Sequence, residues 1–151
     1  MPPARKKTSA KSTGVHFNHA MVYVRDLAPA LHFYADLLGL QILEEFKWQE
    51  RTVYARLRSP GGSGTIALHL AEPGRSLPDS SGIRLYFEVK RLGDFCRKLE
   101  AAGVVFSQPP KTMPWGWEHA YLDDPDGHEV SLYWAGAKRL QKTKPSKPGR
   151  A

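Results

Sequence analysis

The feature that most constrains this chain is that it repeats itself. Val24-Arg25-Asp26-Leu27 aligns with Val89-Lys90-Arg91-Leu92 at an offset of 65, and Leu38-Gly39-Leu40 aligns with Ala102-Gly103-Val104 at an offset of 64. In each copy a strand-like run precedes the first segment, and a helical stripe fills the gap to the second. Units of about 60 residues are too long for a stacked solenoid and point instead to a duplicated half-domain.

The elements follow from hydrophobic period and punctuation. His16 to Arg25 alternates and is rich in Val, Tyr and Met, which predicts a strand. Asp26 caps a helix, Pro29 sits in its first turn, and Gly39 ends it; Leu27, Leu31, Tyr34 and Leu38 form its apolar stripe. Strands are expected over Gln41–Lys47, Arg51–Arg58 and Thr65–Ala71, with a turn at 59–64. The second copy predicts a strand over Ile83–Val89 and a helix over Leu92–Ala102. Three more strands follow over Val104–Ser107, Trp117–Asp123 and Glu129–Trp134.

Alternation then sorts the side chains. In the first strand Ala20, Val22 and Val24 share one face, and His19, Met21 and Tyr23 share the other. Arg84, Tyr86 and Glu88 oppose an apolar face in the fifth strand. His69 lies between Ala67 and Ala71 in the fourth. Trp117, His119 and Tyr121 share a face in the seventh, as do Glu129, Ser131 and Tyr133 in the eighth. A solvated sheet face is usually rich in Lys, Glu and Thr. One rich in His, Tyr and Trp suits a ligand cup. The Trp115-Gly116-Trp117 stretch reads as a lid or wall of that cup, or as a dimer contact.

The formal charge of +7 invites a nucleic-acid reading, so its distribution matters. Ten of the 22 Lys and Arg residues lie in 1–14 and 137–151; the remaining twelve face 15 acidic residues, a net of −3 for the body. The basic tails are Pro-, Ser- and Lys-rich and are expected to be disordered. They permit weak, non-specific nucleic-acid contact or serve only solubility. No run is long and apolar enough to span a bilayer. The polar N-terminus is unlike a secretory signal. A single cysteine, Cys96, fits a reducing, cytoplasmic setting and reads as a buried inert thiol on the second helix.

Three stretches carry a family resemblance: Asn18-His19-Ala20-Met21-Val22-Tyr23-Val24-Arg25-Asp26-Leu27, His32-Phe33-Tyr34 through Leu37-Leu38-Gly39-Leu40, and Tyr121-Leu122-Asp123-Asp124-Pro125-Asp126-Gly127-His128. Over roughly Val15 to Ala135 the chain resembles the vicinal oxygen chelate superfamily of glyoxalases, bleomycin-resistance proteins, fosfomycin-resistance transferases and extradiol dioxygenases. The resemblance implies an α+β fold in which two βαβββ modules, about 15–72 and 83–135, pair into a U-shaped mixed sheet. That sheet surrounds a concave cup, with helices on the outer face, within a domain over 15–136. It also implies a homodimer and a small-molecule ligand.

Metal-using members of that family place ligands at four strand positions. Here those positions fall on His19, His69, Arg84 and Ser131. Arg84 puts a fixed positive charge where a cation belongs, and Ser131 stands where such members usually carry glutamate. Glu129, with the parity of Ser131, replaces it if the strand slips or bulges; His119 and Glu88 share the same face.

Three readings follow. In the first, the chain binds a small oxygenated or aromatic molecule through Arg84, Tyr86, Trp117, His119 and Ser131 and has a degenerate metal site. Arg84 then either binds an anion or pairs with Glu88. In the second, His19, His69 and a carboxylate such as Glu129 hold Fe, Mn, Ni or Zn for a lyase, isomerase or ring-cleaving dioxygenase. Tyr121, matching a substrate-contacting tyrosine of the ring-cleaving members, is then the catalytic candidate. In the third, the chain is a nucleic-acid-associated module acting through its tails. His16, His32 and His128 read as surface or strand-end residues, and 123–127 as a tight turn.

Overall fold

A computed structural model describes residues 4, 14, 15, 17–74, 77 and 82–136. The expected basic tails and His16 lie almost wholly outside these residues. Each module folds as a strand, a helix and three strands. The first contains β1 (Ala20–Val24), α1 (Leu27–Leu31), β2 (Gln41–Trp48), β3 (Arg51–Arg58) and β4 (Thr65–Leu70). The second contains β5 (Arg84–Glu88), α2 (Leu92–Ala101), β6 (Gln108–Thr112), β7 (Glu118–Asp123) and β8 (Glu129–Trp134).

Each module builds its own four-stranded mixed sheet, ordered β1-β4-β3-β2 and β5-β8-β7-β6. The first and last strands of each module are parallel: Tyr23 pairs with His69 in one sheet and Tyr86 with Ser131 in the other. The duplication inferred from the sequence is therefore a duplication of topology. Within these two sheets of four strands each, helices cover one face, as in an open α+β fold rather than a closed barrel.

The helix-facing side chains meet in one core. Val22, Val24, Leu57 and Leu68 come from the first sheet, Leu122, Val130 and Leu132 from the second, and Leu27, Phe33, Leu92, Cys96 and Leu99 from the helical segments. Burial pushes the Cys96 thiol up to about 11, so it behaves as the inert core group expected of it.

Two local details depart from the expectation. The first helix starts as predicted: the Asp26 side chain accepts from the Ala28 N–H. From His32 to Leu37 it then widens into a π turn, with the Leu38 N–H donating to the Phe33 carbonyl. Widening brings two consecutive aromatics, Phe33 and Tyr34, into the core, where a regular helix turns consecutive residues about 100° apart. The sixth strand lies at Gln108–Thr112 rather than at Val104–Ser107. Pro109 and Pro110 hid it, because proline cannot donate to a ladder. On a sheet edge that loss is harmless, and the register slips between Gln108 and Lys111 to accommodate it.

A polar latch joins the modules. The Tyr34 hydroxyl on the π turn donates to Asp124 Oδ2 in the β7–β8 turn at 2.6 Å, and the Arg25 N–H donates to Asp126 Oδ1 at 2.8 Å. Asp124 also accepts from the backbone N–H groups of Asp126 and His128 and lies 2.7 Å from His128 Nδ1. Burial pushes its carboxyl up, but the bonds from His128 and Tyr34 outweigh that, and its pKa ends below the ordinary value. The bond to Asp124 raises the pKa of His128. His128 is thus a half-buried part of the latch rather than a plain surface residue, a role that only the fold brings out.

Candidate functional site

The candidate residues separate by sheet. His19 and His69 belong to the first; Arg84, Tyr86, Trp117, His119, Tyr121, Glu129 and Ser131 belong to the second or flank it.

On the first sheet the two histidines have separate surroundings. Arg56 Nη2 donates to Asn18 Oδ1 at 2.8 Å and lies 2.7 Å from His19 Nδ1. Arg56 Nε lies 3.7 Å from Glu44. His69 Nδ1 lies 2.7 Å from the Leu70 carbonyl, and its ring sits between Tyr23 and Tyr54 at centroid distances of 5.8 and 6.3 Å. The parallel register explains the separation. His69 pairs with Tyr23, four residues beyond His19, which is roughly 13 Å along the strands at about 3.3 Å per residue. Met21 stands between them on the same face, and side chains perpendicular to a sheet do not converge over that span. The position beside His19 is Thr65, whose hydroxyl donates to the Asn18 carbonyl at 3.0 Å.

On the second sheet the register is unbroken from β5 through β8 to β7, so Glu129 stays opposite Arg84 and Asp123 and does not slip into the place of Ser131. Arg84 pairs with Glu129, at 3.1 Å from Nη2 to Oε1, and not with Glu88. Its guanidinium lies 4.4 Å from the centre of the Tyr121 ring. The bond to Glu129, then that to Tyr86, holds Arg84 firmly charged. Glu88 accepts instead from the Tyr133 hydroxyl at 3.3 Å.

The donor set does not fit a divalent ion. One histidine lies against a guanidinium, the other is rows away, and the expected carboxylate is neutralised by Arg84. Among the described residues no group of three or more His, Cys, Asp or Glu is placed to hold a metal. A structural site needs about four such ligands and a catalytic one about three.

What the second sheet builds instead is an aromatic box. His119 is 3% exposed and is surrounded by Trp115, Trp117, Tyr121, Tyr133 and Tyr86, with ring centroids 5.6–6.3 Å away. The planes of Trp117, His119 and Tyr133 are within 14–19° of one another. Tyr86 and Trp115 meet His119 edge-on, at 89° and 73°. Below the rings, His119 Nδ1 lies 3.0 Å from the Ser131 hydroxyl. Ser131 therefore serves as a support for an imidazole. Burial, then the nearby charge of Arg84, lowers the pKa of His119. The Nε2 of His119 and the Nε1 of Trp117 are both buried without a hydrogen-bond partner.

A cavity of about 220 Å³ lies elsewhere, lined by Leu38, Leu40, Phe87, Phe95 and Leu132 among others. Its walls are mainly aliphatic and phenyl groups, with Ser59 and Glu88 as the polar residues, whereas the aromatic face gathers more groups able to orient a ligand.

The geometry accords with known relatives. Residues 16–132 match the family model of the Glyoxalase/Bleomycin resistance protein/Dioxygenase superfamily. The chain belongs to this superfamily. Catechol-2,3-dioxygenase of Bacillus subtilis (strain 168) is 27% identical over 124 residues, 78% of this chain. The chain spans only 41% of that relative's length. A superfamily member from Sphaerobacter thermophilus DSM 20745 superposes with a TM-score of 0.65 at 27% identity, covering 80% of this chain and 97% of the other. TnmS3, an antibiotic binding protein from Streptomyces sp. CB03234, superposes at 0.67 with 25% identity, covering 82% and 98%. Within the superfamily the same fold supports enzymes and binding proteins, so the distinction falls to the site residues. Among the described residues no helix is long and apolar enough to cross a membrane.

Sequence reasoning found most of the box through strand parity. It missed Arg56, whose role depends on β3 lying beside β4, and it missed the Tyr34–Asp124–His128 latch, which spans 90 residues of chain. The latch residues fall within the stretches that carry the family resemblance, but their spacing does not pair them.

Proposed function

We propose that this protein binds a small planar aromatic molecule on the second-module face and does so without a resident metal. The observation that carries this reading is the enclosure of a buried His119 by five aromatic rings, two of them, Trp117 and Tyr133, nearly parallel to the imidazole. Parallel and edge-on ring surfaces recognise flat π systems, each contact contributing about 0.5–1.5 kcal/mol beyond area burial. Tyr86, 53% exposed, supplies the accessible wall, and Arg84, paired with Glu129, lays one face of its guanidinium on Tyr121 at the rim. The description of TnmS3 as an antibiotic binding protein supports the same class of activity.

Calorimetric titration with 1-naphthol tests this. Saturable one-to-one binding is expected, weakened about tenfold by Tyr86→Ala through loss of an aromatic contact. Wild-type protein that shows no binding, even at millimolar probe, would defeat the reading.

Dioxygenase or lyase chemistry through His19, His69 and Glu129 is the competing reading. Elemental analysis of untagged protein after reconstitution with Fe, Mn, Ni or Zn separates the two. We expect well under one metal per chain, unchanged by His19→Ala. Stoichiometric metal lost in that variant would favour the enzyme.

A further inference from the structure

Two buried nitrogens at the centre of the box lack partners: Trp117 Nε1 and His119 Nε2. An unpaired buried polar atom is destabilising and calls for an explanation within the site. The indole N–H is a donor only, so its missing partner is an acceptor. The imidazole, with Nδ1 on Ser131, presents a donor or an acceptor at Nε2 according to its tautomer. One oxygen attached to an aromatic ring satisfies both in either case: a carbonyl oxygen accepts from two donors, and a phenolic hydroxyl accepts from the indole while donating to the imidazole.

Both nitrogens are closed off from solvent as the chain stands, so some part of the enclosure has to open. Of the rings around His119, those of Tyr86, Tyr121 and Tyr133 are carried on strands, and Trp117 directly precedes β7. Trp115 alone sits in a turn. It is 49% exposed, in a Met113–Trp117 loop closed by the Gly116 N–H on the Met113 carbonyl and hinged at Gly116, φ 88°. Its indole lies edge-on against His119 at 5.6 Å, as a bound aromatic ring would.

We propose that Trp115 is a built-in occupant of the site, displaced by a planar aromatic ligand whose ring oxygen binds Trp117 Nε1 and His119 Nε2. The inference rests on the binding function proposed above and adds the ligand's oxygen and the group that yields to it. The turn rather than the sheet moves, because Trp115 has neither ladder bonds nor a buried position to hold it. Apparent affinity is then reduced by the fraction of molecules in which Trp115 covers the site, and removing the indole restores it.

The test compares 1-naphthol with naphthalene, two probes that differ by the oxygen. Trp115→Ala is expected to bind both more tightly, by about threefold or more. Trp117→Phe keeps a ring but removes the N–H. It is expected to lose about fivefold to tenfold more affinity for 1-naphthol than for naphthalene, the scale of one hydrogen bond. Weaker binding in Trp115→Ala makes Trp115 a fixed wall and overturns the displacement. Equal effects of Trp117→Phe on both probes overturn the oxygen assignment. If wild type binds neither probe, the binding function itself fails; the other two failures leave it standing.

Discussion

The two modules share one topology and differ in what they do with the sheet face turned away from the helices. In the first module that face is open and charged: Arg56 reaches Asn18, His19 and Glu44, while Tyr23 remains 46% exposed. In the second, aromatic rings gather around a buried imidazole, and the Arg84–Glu129 pair lies beside them. The helix-facing sides are alike because both must fill a single core, where a missing or extra methylene is felt at once. The outer faces have no such common constraint. A position that matches a family ligand by sequence, such as His19, therefore takes its role from neighbours on its own sheet.

The latch is where the modules depend on each other, so breaking it should have the largest effect. Asp124→Ala leaves the Tyr34 hydroxyl and two turn N–H groups without their acceptor inside the protein. We expect a loss of about 3–4 kcal/mol in denaturant unfolding, with Tyr34→Phe losing about 1–2 kcal/mol. Asp124→Ala costing under about 1 kcal/mol would mean that the modules cohere through apolar contact and the Arg25–Asp126 bond.

Titration weakens the same latch more gently. His128 has a raised pKa in the fold, so its contribution is complete below its unfolded value of about 6.5 and is lost as pH rises through the folded pKa. Asp124 is depressed, so its contribution is present above its unfolded value of about 3.9 and is lost as pH falls through the folded pKa. Wild type should therefore exceed His128→Gln by about 1–2 kcal/mol near pH 5.5 and by progressively less on the alkaline side. A difference that stays flat from pH 5.5 to 9 would assign His128 a packing role only.

Much of this was legible in the sequence, and the misses share a cause. Strand parity found Tyr86, Trp117, His119, Tyr121 and Ser131 on one face because period-2 alternation survives any strand order. The helix cap at Asp26 and the stop at Gly39 were local chemistry and read correctly. Register was not legible. The four-residue stagger that separates His19 from His69, and the pairing that joins Arg84 to Glu129 instead of Glu88, depend on which residues of two strands lie side by side. The π turn eluded periodicity because its stripe differs from an ordinary helix by only one residue. The sixth strand was masked by prolines that only an edge position tolerates.

The smallest expected effect concerns the outer hairpins, where the modules differ again. The β2–β3 turn places Gln49 at φ 48° and Glu50 at φ 63°, both left-handed and neither glycine. The turn before β7 assigns its left-handed position, φ 88°, to Gly116. Two consecutive left-handed residues suit the right-handed twist of a two-residue hairpin, which is why the chain accepts them despite the Cβ clash. Glycine at Glu50 removes the clash but also gives the unfolded chain more freedom, so the two effects partly cancel. We expect Glu50→Gly to gain about 0.5 kcal/mol, roughly 2 °C in thermal midpoint for a chain of this size. Gly116→Ala should lose about 1 kcal/mol, since an L residue there takes on the strain that the first module already carries. If Glu50→Gly destabilises the protein instead, its side chain has a role at the hairpin tip, beside Trp48, that outweighs the backbone strain.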